Sequence, residues 1–321
     1  MHSQSTRNLT ISTVHAGLSN KPIPVLRWSK YLTRRSLLQL FSVLFCLRDA
    51  KSALIKPKRI VSVAPSITEM LYSLGLGDRV VGVTTHCHYP PEVRQKHKIG
   101  DYMNPNFETI LAIKTDLVVT LKEHRGLIQK LRSFGLPFVA LQHNDLAGIY
   151  QSLLDLGEAT HTPGRALEQV TRLRSELATI RQQASKLRRR SVMFVIGRTP
   201  ATVEDVTVVG SRSFLNELIT IAGGKNVFED TLAHYPRIPR EELYARNPEV
   251  IIDMGNMGNT VSVTEDHRVM ATKLWKQLPE LSAVRTGRVY VVSEDIFVVP
   301  GLRVAETARR LVAMIHPEVT Q

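Results

Sequence analysis

Two stretches from the first half of this 321-residue sequence recur, in the same order, in its second half. Residues 71–80, LYSLGLGDRV, align with residues 218–227, LITIAGGKNV, and residues 108–119, ETILAIKTDLVV, align with residues 241–252, EELYARNPEVII. Units that join an amphipathic helix to a strand also resemble one another by chance, which is the alternative explanation. Two matches in the same order favour a chain built from two similar lobes, because an internal repeat usually reflects a repeated structural unit.

Short apolar runs alternate with helical periods from residue 59 onward, which is typical of an α/β fold. A capping-box pattern at Ser66–Glu69 predicts a helix that continues to Leu74. The predicted strands are Arg59–Ala64, Val80–Val83, Leu117–Thr120, Pro137–Ala140, Val192–Ile196, Val250–Met254 and Val289–Val292. The fold class predicted from these patterns is therefore α/β, in two similar lobes.

A long helical period separates the two halves. Pro163 and Gly164 precede residues 165–190, in which apolar residues recur at helical spacing. The pattern predicts one helix of about 25 residues, roughly 37 Å long at 1.5 Å per residue. Its other face is basic, as in some nucleic-acid-binding helices, but no aromatic residues interleave with the basic ones to stack on bases. We expect a solvated helix that joins the lobes and lets them move little when a ligand binds.

The formal net charge of +13 is distributed unevenly along the chain. Residues 1–53 carry +7 and residues 163–190 carry +6, whereas residues 54–162 carry +2 and residues 191–321 carry −2. The two lobes are therefore nearly neutral, and the excess charge lies in the N-terminal segment and the connecting helix. A basic chain suggests a nucleic-acid partner, but this distribution predicts that there is none.

The N-terminal segment has the features of an export signal. Arg34-Arg35 precedes an apolar stretch, Leu37–Leu47, and small residues occur at 50–53. This order is typical of a secretory signal, and the paired arginines resemble a twin-arginine signal. Cys46 follows a bulky phenylalanine, which is atypical of a lipidation site. The alternative is a membrane-anchoring helix. Such a helix needs about 20 apolar residues, which is more than this stretch contains.

These observations divide the chain into four segments. They are an export signal at residues 1–53, a first lobe at 54–162, a connecting helix at 163–190 and a second lobe at 191–321. Outside the export signal the sequence holds one cysteine, Cys87, which has no intramolecular partner for a disulfide.

Six short motifs occur in order along both lobes. They are residues 59–69 (RIVSVAPSITE), 82–83 (GV), 89–92 (YPPE), 106–119 (NFETILAIKTDLVV), 222–228 (AGGKNVF) and 240–248 (REELYARNP). Together with the two lobes, the joining helix and the export signal, they resemble the helix-linked (class III) periplasmic solute-binding proteins. That family serves ABC importers for cobalamin, siderophores, haem and some metals, and the motifs look closest to its cobalamin-binding branch.

The resemblance implies a role and a set of partners. It implies a periplasmic protein, not an enzyme, that captures cobalamin or a related corrinoid in a cleft between the lobes. The protein would deliver this ligand to an ABC permease with its ATPase subunits, and would meet the membrane only through that permease. A ferric siderophore or haem is the alternative ligand, and no cofactor is implied besides the transported chelate.

Motif positions in the loops also imply the residues that contact the ligand, since a large planar chelate needs flat apolar walls and a few polar groups. The candidates are His86, Tyr89, Tyr102, Tyr235, Asp295, Phe297 and Arg303. Tyr89 has an alternative role as a turn residue packed on the two prolines that follow it. Asp295 and Arg303 have the alternative of a surface salt bridge.

The tryptophans depart from the cobalamin branch, which tends to place tryptophans on several walls of its cleft. Trp28 lies in the predicted export signal, and Trp275 lies in a helical region away from the candidate loops. Tyrosine and histidine occupy the candidate loops instead. Because of this departure, haem and ferric chelates remain alternative ligands beside corrinoids.

His86, Cys87 and His88 are three potential metal ligands in a row. Neighbouring side chains of an extended segment point in alternating directions, so three consecutive residues are poorly placed to bind one ion. The alternatives are ordinary loop residues or contact of His86 with the metal of a bound chelate, because neutral imidazole is a common ligand. No protein-bound metal ion is predicted.

Glu108 and Glu241 occupy matching positions of the internal repeat, each near the start of a predicted helix. The simpler explanation is a favourable interaction with the helix dipole, worth about 0.3–1 kcal/mol. In the family that the sequence resembles, one exposed glutamate on each lobe docks onto arginines of the permease. The resemblance implies that role for these two residues.

An enzyme is the main alternative class. The sequence has no nucleophile-elbow, Walker or dinucleotide-binding motif, and Gly197 and Gly210 are isolated glycines. No catalytic residue is therefore predicted.

Overall fold

The computed structural model describes residues 56–199, 201–255 and 265–319. The predicted export signal, residues 1–53, lies outside this part of the chain. No helix in the described ranges is long and apolar enough to cross a membrane.

The first lobe contains a five-stranded sheet flanked by helices. Its strands are Ile60–Ser62 (β1), Val80–Val83 (β2), His97–Lys98 (β3), Leu117–Leu121 (β4) and Phe138–Leu141 (β5). Its helices are Pro65–Ser73 (α1), Phe107–Ala112 (α2), Arg125–Ser133 (α3) and Leu146–Thr160 (α4), with 3-10 turns at Gly77–Arg79 and Pro91–Gln95. The strand order is β3-β2-β1-β4-β5, and every neighbouring pair is parallel.

Both faces of this sheet are covered. All of β1 and β4 is buried. Successive side chains of a strand point to opposite faces, and Ile60 packs into one apolar cluster while Val61 packs into another. A parallel sheet covered on both faces needs nearly continuous apolar strands, which explains why these runs are recognisable in the sequence.

The helix that joins the lobes, α5, extends over Pro163–Ala184. Proline suits its first turn, where the backbone N–H has no partner within the helix. Its 22 residues correspond to roughly 33 Å, and its buried positions recur at helical spacing, as the sequence predicts. The helix ends at Ala184, before the predicted end at residue 190, and Arg190 instead begins a strand. The largely buried guanidinium of Arg190 donates to the Ile315 carbonyl and to Glu318 at 2.9 Å.

The second lobe contains a mixed sheet. Its strands are Arg190–Arg198 (β6), Asp205–Val208 (β7), Gly224–Asn226 (β8), Arg237–Pro239 (β9), Val250–Asp253 (β10) and Val289–Val291 (β11). Its helices are Phe214–Ile221 (α6), Arg240–Arg246 (α7), Glu265–Trp275 (α8), Ser282–Arg285 (α9) and Val304–Ile315 (α10), with 3-10 turns at Asp295–Phe297 and Pro317–Val319. The strand order is β11-β10-β6-β7-β9, and β8 also pairs with β6.

This second sheet differs from the first in direction as well as in order. Strands β10 and β11 run parallel to β6, whereas β7 is antiparallel to both β6 and β9. The internal repeat therefore covers helix–strand units that the two lobes share and leaves out the antiparallel strands.

One apolar cluster extends through both lobes. It includes Leu71 of α1, Leu173 and Leu177 of α5, Phe194 of β6 and Leu311 of α10. The outer face of each sheet has a separate cluster of its own. The two lobes and the joining helix therefore share one core on their inner side.

The capping-box prediction at the start of α1 is wrong. The helix begins at Pro65, its N-cap is Ala64, and no side chain caps it. The Ser66 hydroxyl instead lies 2.8 Å from Nε2 of His143, and the Glu69 carboxylate binds Arg303 of the second lobe. Proline in the first turn removes a donor that a cap would satisfy, so both polar side chains are free to make tertiary contacts.

Candidate functional site

A cleft of about 340 Å³ lies between the lobes. In the first lobe it is lined by residues that end or follow all five parallel strands: Ala64, Pro65, Ser66, His86, His88, Tyr102, Leu121, Glu123, His143 and Asn144. In the second lobe it is lined by Phe214, His234, Tyr235, Asp295, Val298, Val299 and Pro300. Open α/β sheets bind ligands in the crevice outside the carboxyl ends of their strands, so this is the position expected of a binding site.

Four of the residues proposed from the sequence line this cleft, namely His86, Tyr102, Tyr235 and Asp295. Nε2 of His86 lies 2.7 Å from Oδ2 of Asp101, and both side chains are about half exposed. The Tyr235 hydroxyl accepts a hydrogen bond from Ser213 at 3.2 Å. The two tyrosines come from different lobes, so the cleft has an aromatic ring on each side.

Phe297 does not line the cleft. It is 1% exposed and packs against Phe194, with ring centroids 5.7 Å apart. Asp295 and Phe297 belong to one 3-10 turn, in which successive side chains are rotated by about a third of a turn. The carboxylate therefore faces the cleft while the phenyl ring enters the core.

Tyr89 and Arg303 line a second cavity, of about 270 Å³, next to α5. The Arg303 guanidinium lies over the Tyr89 ring, 4.4 Å from its centroid. Tyr89 is 46% exposed, and its contact with Arg303 crosses from one lobe to the other. Neither residue lines the ligand cleft.

Arg303 joins carboxylates of both lobes. Its Nε donates to Oε1 of Glu69 at 2.9 Å, and its Nη1 donates to Oδ1 of Asp295 at 2.9 Å. The Glu69 side chain is 3% exposed and the Arg303 side chain 14% exposed, so this pair is largely buried. The alternative of a salt bridge between Asp295 and Arg303 is also present in the structure, with the Asp295 side chain 32% exposed. Burial raises the pKa of Glu69 to about 7 against the opposing effect of Arg303.

The structure adds histidines that the sequence analysis did not select. His88, His143 and His234 line the cleft. His143 lies between the hydroxyls of Ser66 and Ser152, at 2.8 Å from Nε2 and 3.3 Å from Nδ1. Burial lowers the pKa of His143 to about 4 and also lowers the pKa of His88. His143 is therefore an uncharged imidazole at neutral pH.

His124 supports the wall of the cleft from behind Tyr102. The two rings meet edge to face with centroids 5.1 Å apart, and Nδ1 of His124 lies 2.9 Å from the Thr120 hydroxyl. Burial lowers the pKa of His124, and its Nε2 has no hydrogen-bond partner among the described residues. His143 follows the end of β5, so the rule that ligands bind at the carboxyl ends of parallel strands could have indicated it. Nothing in the sequence indicates the contact between His124 and Tyr102.

Cys87 points away from the cleft, between two residues that line it. Its Sγ lies 3.2 Å from the hydroxyls of Thr68 and Thr84, and burial raises the pKa of the thiol. Within the described ranges no three His, Cys, Asp or Glu side chains are grouped as ligands of a metal ion. Of the three consecutive candidates, His86 and His88 line the cleft and Cys87 is buried in the core.

The two glutamates singled out by the repeat are both exposed. Glu108 lies in the first turn of α2, which is capped by Asn106 through a 2.9 Å bond from the Thr109 N–H, and Glu241 lies in the first turn of α7. Each has favourable helix-dipole geometry and is accessible to a partner. The structure is compatible with both explanations of these residues.

Known proteins resemble the chain in sequence and in fold. Residues 60–296 match the periplasmic binding protein family. An ABC transporter substrate-binding lipoprotein of Bacillus subtilis, YvrC, is 31% identical over 271 residues, which cover 82% of this chain and 81% of that protein. A vitamin B12-binding protein of Photorhabdus laumondii is 24% identical over 289 residues, which cover 89% and 98%.

Solved structures agree at the level of the fold. A periplasmic heme-binding protein from Pseudomonas aeruginosa superposes with a TM-score of 0.70 at 24% identity, covering 81% of this chain and 93% of that one. The family match spans most of both lobes and the helix between them. With two α/β lobes, one joining helix and a cleft between them, this chain belongs to the periplasmic binding protein family.

Proposed function

We propose that this protein is the exported substrate-binding component of an ABC importer, and that it carries a metal chelate of the corrinoid class. The ligand is held in the cleft between the lobes and is handed to a permease with its ATPase subunits. A ferric siderophore or haem is the second candidate, favoured by the likeness of the fold to a heme-binding protein. In this role the protein binds and releases its ligand without chemical change.

The observation that carries this proposal is the composition of the cleft walls. Tyr102, Tyr235 and Phe214 bring aromatic rings from both lobes, and Pro65 and Val299 add apolar surface. Flat apolar walls with a few polar groups suit a large planar ligand.

The polar groups of the cleft support the same ligand class. Asn144 and the imidazoles of His88 and His234 are available for hydrogen bonds at the edge of a macrocycle or for contact with its metal, whereas the buried Ser66 and His143 are hydrogen-bonded to each other. The vitamin B12-binding relatives make a corrinoid the first choice.

Isothermal titration calorimetry of the exported protein tests the ligand class. Separate titrations use cyanocobalamin, haemin and ferrichrome under one buffer condition. We expect cyanocobalamin to bind with a Kd below about 1 µM, which corresponds to about −8 kcal/mol. Binding of haemin or ferrichrome alone would replace the corrinoid by the second candidate, and no binding of any of the three would overturn the proposal.

Glu108 and Glu241 are proposed to dock the loaded protein onto the permease, since exposed charges on both lobes would set its orientation and speed the encounter. The double variant Glu108→Ala, Glu241→Ala is expected to reduce uptake by whole cells at least tenfold and to leave the calorimetric Kd unchanged. The control is Glu158→Ala, Glu280→Ala, which removes one exposed glutamate from each lobe at other positions. Loss of ligand affinity in the first variant would place its glutamates in the binding site instead.

A further inference from the structure

Among the described residues, those that line the cleft include carboxylates from both lobes but no lysine or arginine. Glu123 faces it from the end of β4, and Asp295 faces it from the turn after β11. Among the described residues that line it, none is a lysine or an arginine. The remaining internal residues, 200 and 256–264, include no lysine or arginine in the sequence.

Three cations near this lining, Lys98, Lys122 and Arg303, are engaged elsewhere. Lys98 donates to the carbonyls of Cys87 and Val93, each at 3.4 Å. Lys122 donates to the Gln142 side chain at 3.5 Å, and Arg303 is held between Glu69 and Asp295. None of these ammonium or guanidinium groups lines the cleft.

Two of the cleft histidines, His88 and His143, do not supply a positive charge at neutral pH. Burial keeps His143 uncharged, since its pKa is about 4, and burial together with the nearby Lys98 also lowers the pKa of His88. A neutral imidazole both donates and accepts one hydrogen bond. The edge of the cleft therefore offers neutral groups and two carboxylates that can accept hydrogen bonds. Asp295 is already paired with Arg303, so the charge that opposes an anion comes mainly from Glu123.

We infer that the cleft selects chelates whose edge carries amides and rejects chelates whose edge carries ionised carboxylates, with Glu123 and Asp295 as the specificity-determining residues. An amide N–H can donate to either carboxylate. An ionised carboxylate would lose its hydration without gaining a counter-charge, which is costly, and like charges at a binding site act against the wrong ligand. This inference rests on the proposed function and narrows its ligand class.

Two corrins that differ only at their edge test the inference. Dicyanocobinamide carries side-chain amides, and dicyanocobyrinic acid has the same ring, cobalt and axial cyanides with carboxylates in their place. At pH 7.5 we expect the amide form to bind at least tenfold more tightly by calorimetry. Equal binding of the two corrins would overturn the inference and leave the proposed function standing, whereas failure of both to bind would overturn the proposed function.

Glu123→Lys tests the residue that sets the preference. Because Glu123 is exposed at the cleft, the substitution should leave the fold intact, which an unchanged Tm checks. It is expected to raise the affinity for the carboxylate form about tenfold, and Glu123→Gln should raise it by a smaller factor. Glu158→Lys makes the same change in net charge at an exposed position of α4 away from the cleft, and an equal effect there would overturn the assignment to Glu123.

Discussion

Two regions lie between the lobes, and they use polar residues in opposite ways. The ligand cleft is lined by aromatic, apolar and neutral polar groups, with two carboxylates and no cation among the described residues. The second cavity beside α5 is lined by charges that are paired with one another: Glu69 with Arg303, and Glu176 with Arg172 and Arg309. We call these residues, together with Asp295, the interlobe ionic cluster.

The difference shows how one interface can both join two lobes and leave room for a ligand. A buried charge is tolerated when an opposite charge and hydrogen bonds satisfy it. In the ionic cluster Oε1 of Glu69 meets that condition through Arg303, whereas its buried Oε2 has no hydrogen-bond partner among the described residues. The cleft is lined mostly by uncharged groups and leaves part of its polar surface open to a ligand. Asp295 belongs to both regions, because it binds Arg303 and also faces the cleft.

The largest expected effect comes from removing the central residue of the ionic cluster. Arg303→Ala leaves the buried carboxylate of Glu69 without its partner, and breaking a buried pair on one side typically costs about 3–5 kcal/mol. We expect a loss of that size in the free energy of unfolding, measured by urea denaturation.

The matched control is Arg309→Ala, because Arg309 pairs with Glu176 at the exposed end of the same cavity, where its side chain is 55% exposed. An exposed pair contributes about 0–1 kcal/mol. Equal losses of unfolding free energy for the two variants would show that the burial of Glu69 and Arg303 does not make their pair more important than the exposed one.

The aromatic wall of the cleft is expected to give the next largest effect. Tyr102→Ala removes a ring that faces the ligand, and truncation of a buried aromatic anchor typically costs about 2 kcal/mol or more of binding free energy. We expect the Kd for cyanocobalamin to rise about 30-fold by calorimetry, with little change in Tm.

Tyr244→Ala is the matched control for this prediction. Tyr244 lies on α7, is 38% exposed and contacts Arg240 instead of the cleft. Its truncation should leave the Kd unchanged. A similar rise in Kd for both variants would mean that Tyr102 acts through the fold and not through contact with the ligand.

The last expected effect is gradual in pH, and it originates in the ionic cluster. Burial raises the pKa of Glu69 to about 7 from 4.5, Arg303 opposes that shift, and Asp295 and Glu306 add to it. The folded protein therefore holds a proton between pH 4.5 and 7 that the unfolded chain has lost. Its stabilising contribution is complete at low pH and declines as the pH rises to about 7, by at most about 1.4 kcal/mol per pH unit.

Glu69→Gln isolates this contribution. The difference in unfolding free energy between wild type and Glu69→Gln should fall across this window and stay level above it. Buried histidines with lowered pKa values have the opposite pH dependence, but they are present in both proteins and cancel. Glu176→Gln is the control, because hydrogen bonds from Arg172 and Arg309 lower the pKa of Glu176 out of the window. A level difference between wild type and Glu69→Gln throughout would contradict the prediction.

The sequence predicts the buried parallel strands well and the short strands poorly. Runs such as LVVTL in β4 are buried at every position and almost wholly apolar because both faces are covered. In contrast, β3 has two residues, β8 has the sequence GKN, and β9 ends in Pro239. Such segments carry no hydrophobic period, and tertiary pairing alone makes them strands.

The candidate site shows the same limit at the level of side-chain direction. A motif places a residue in a loop but does not say which way the side chain points, so Asp295 faces the cleft while Phe297, in the same turn, enters the core. The motif position of Arg303 implies contact with the ligand, and the structure shows an ion pair of Arg303 with Glu69, a residue more than 200 positions away in the sequence. That pairing depends on the packing of two lobes, which no local pattern encodes.

The apolar cluster shared by both sheets and α5 has a consequence for how the protein unfolds. Each lobe has only the outer face of its sheet to itself, and the inner faces are completed by α5, α10 and the opposite lobe. Neither lobe then forms an independent folding domain, although the chain looks bilobed. The described part of the chain should melt in one cooperative step, and a protease that cuts the joining helix should release no stable half.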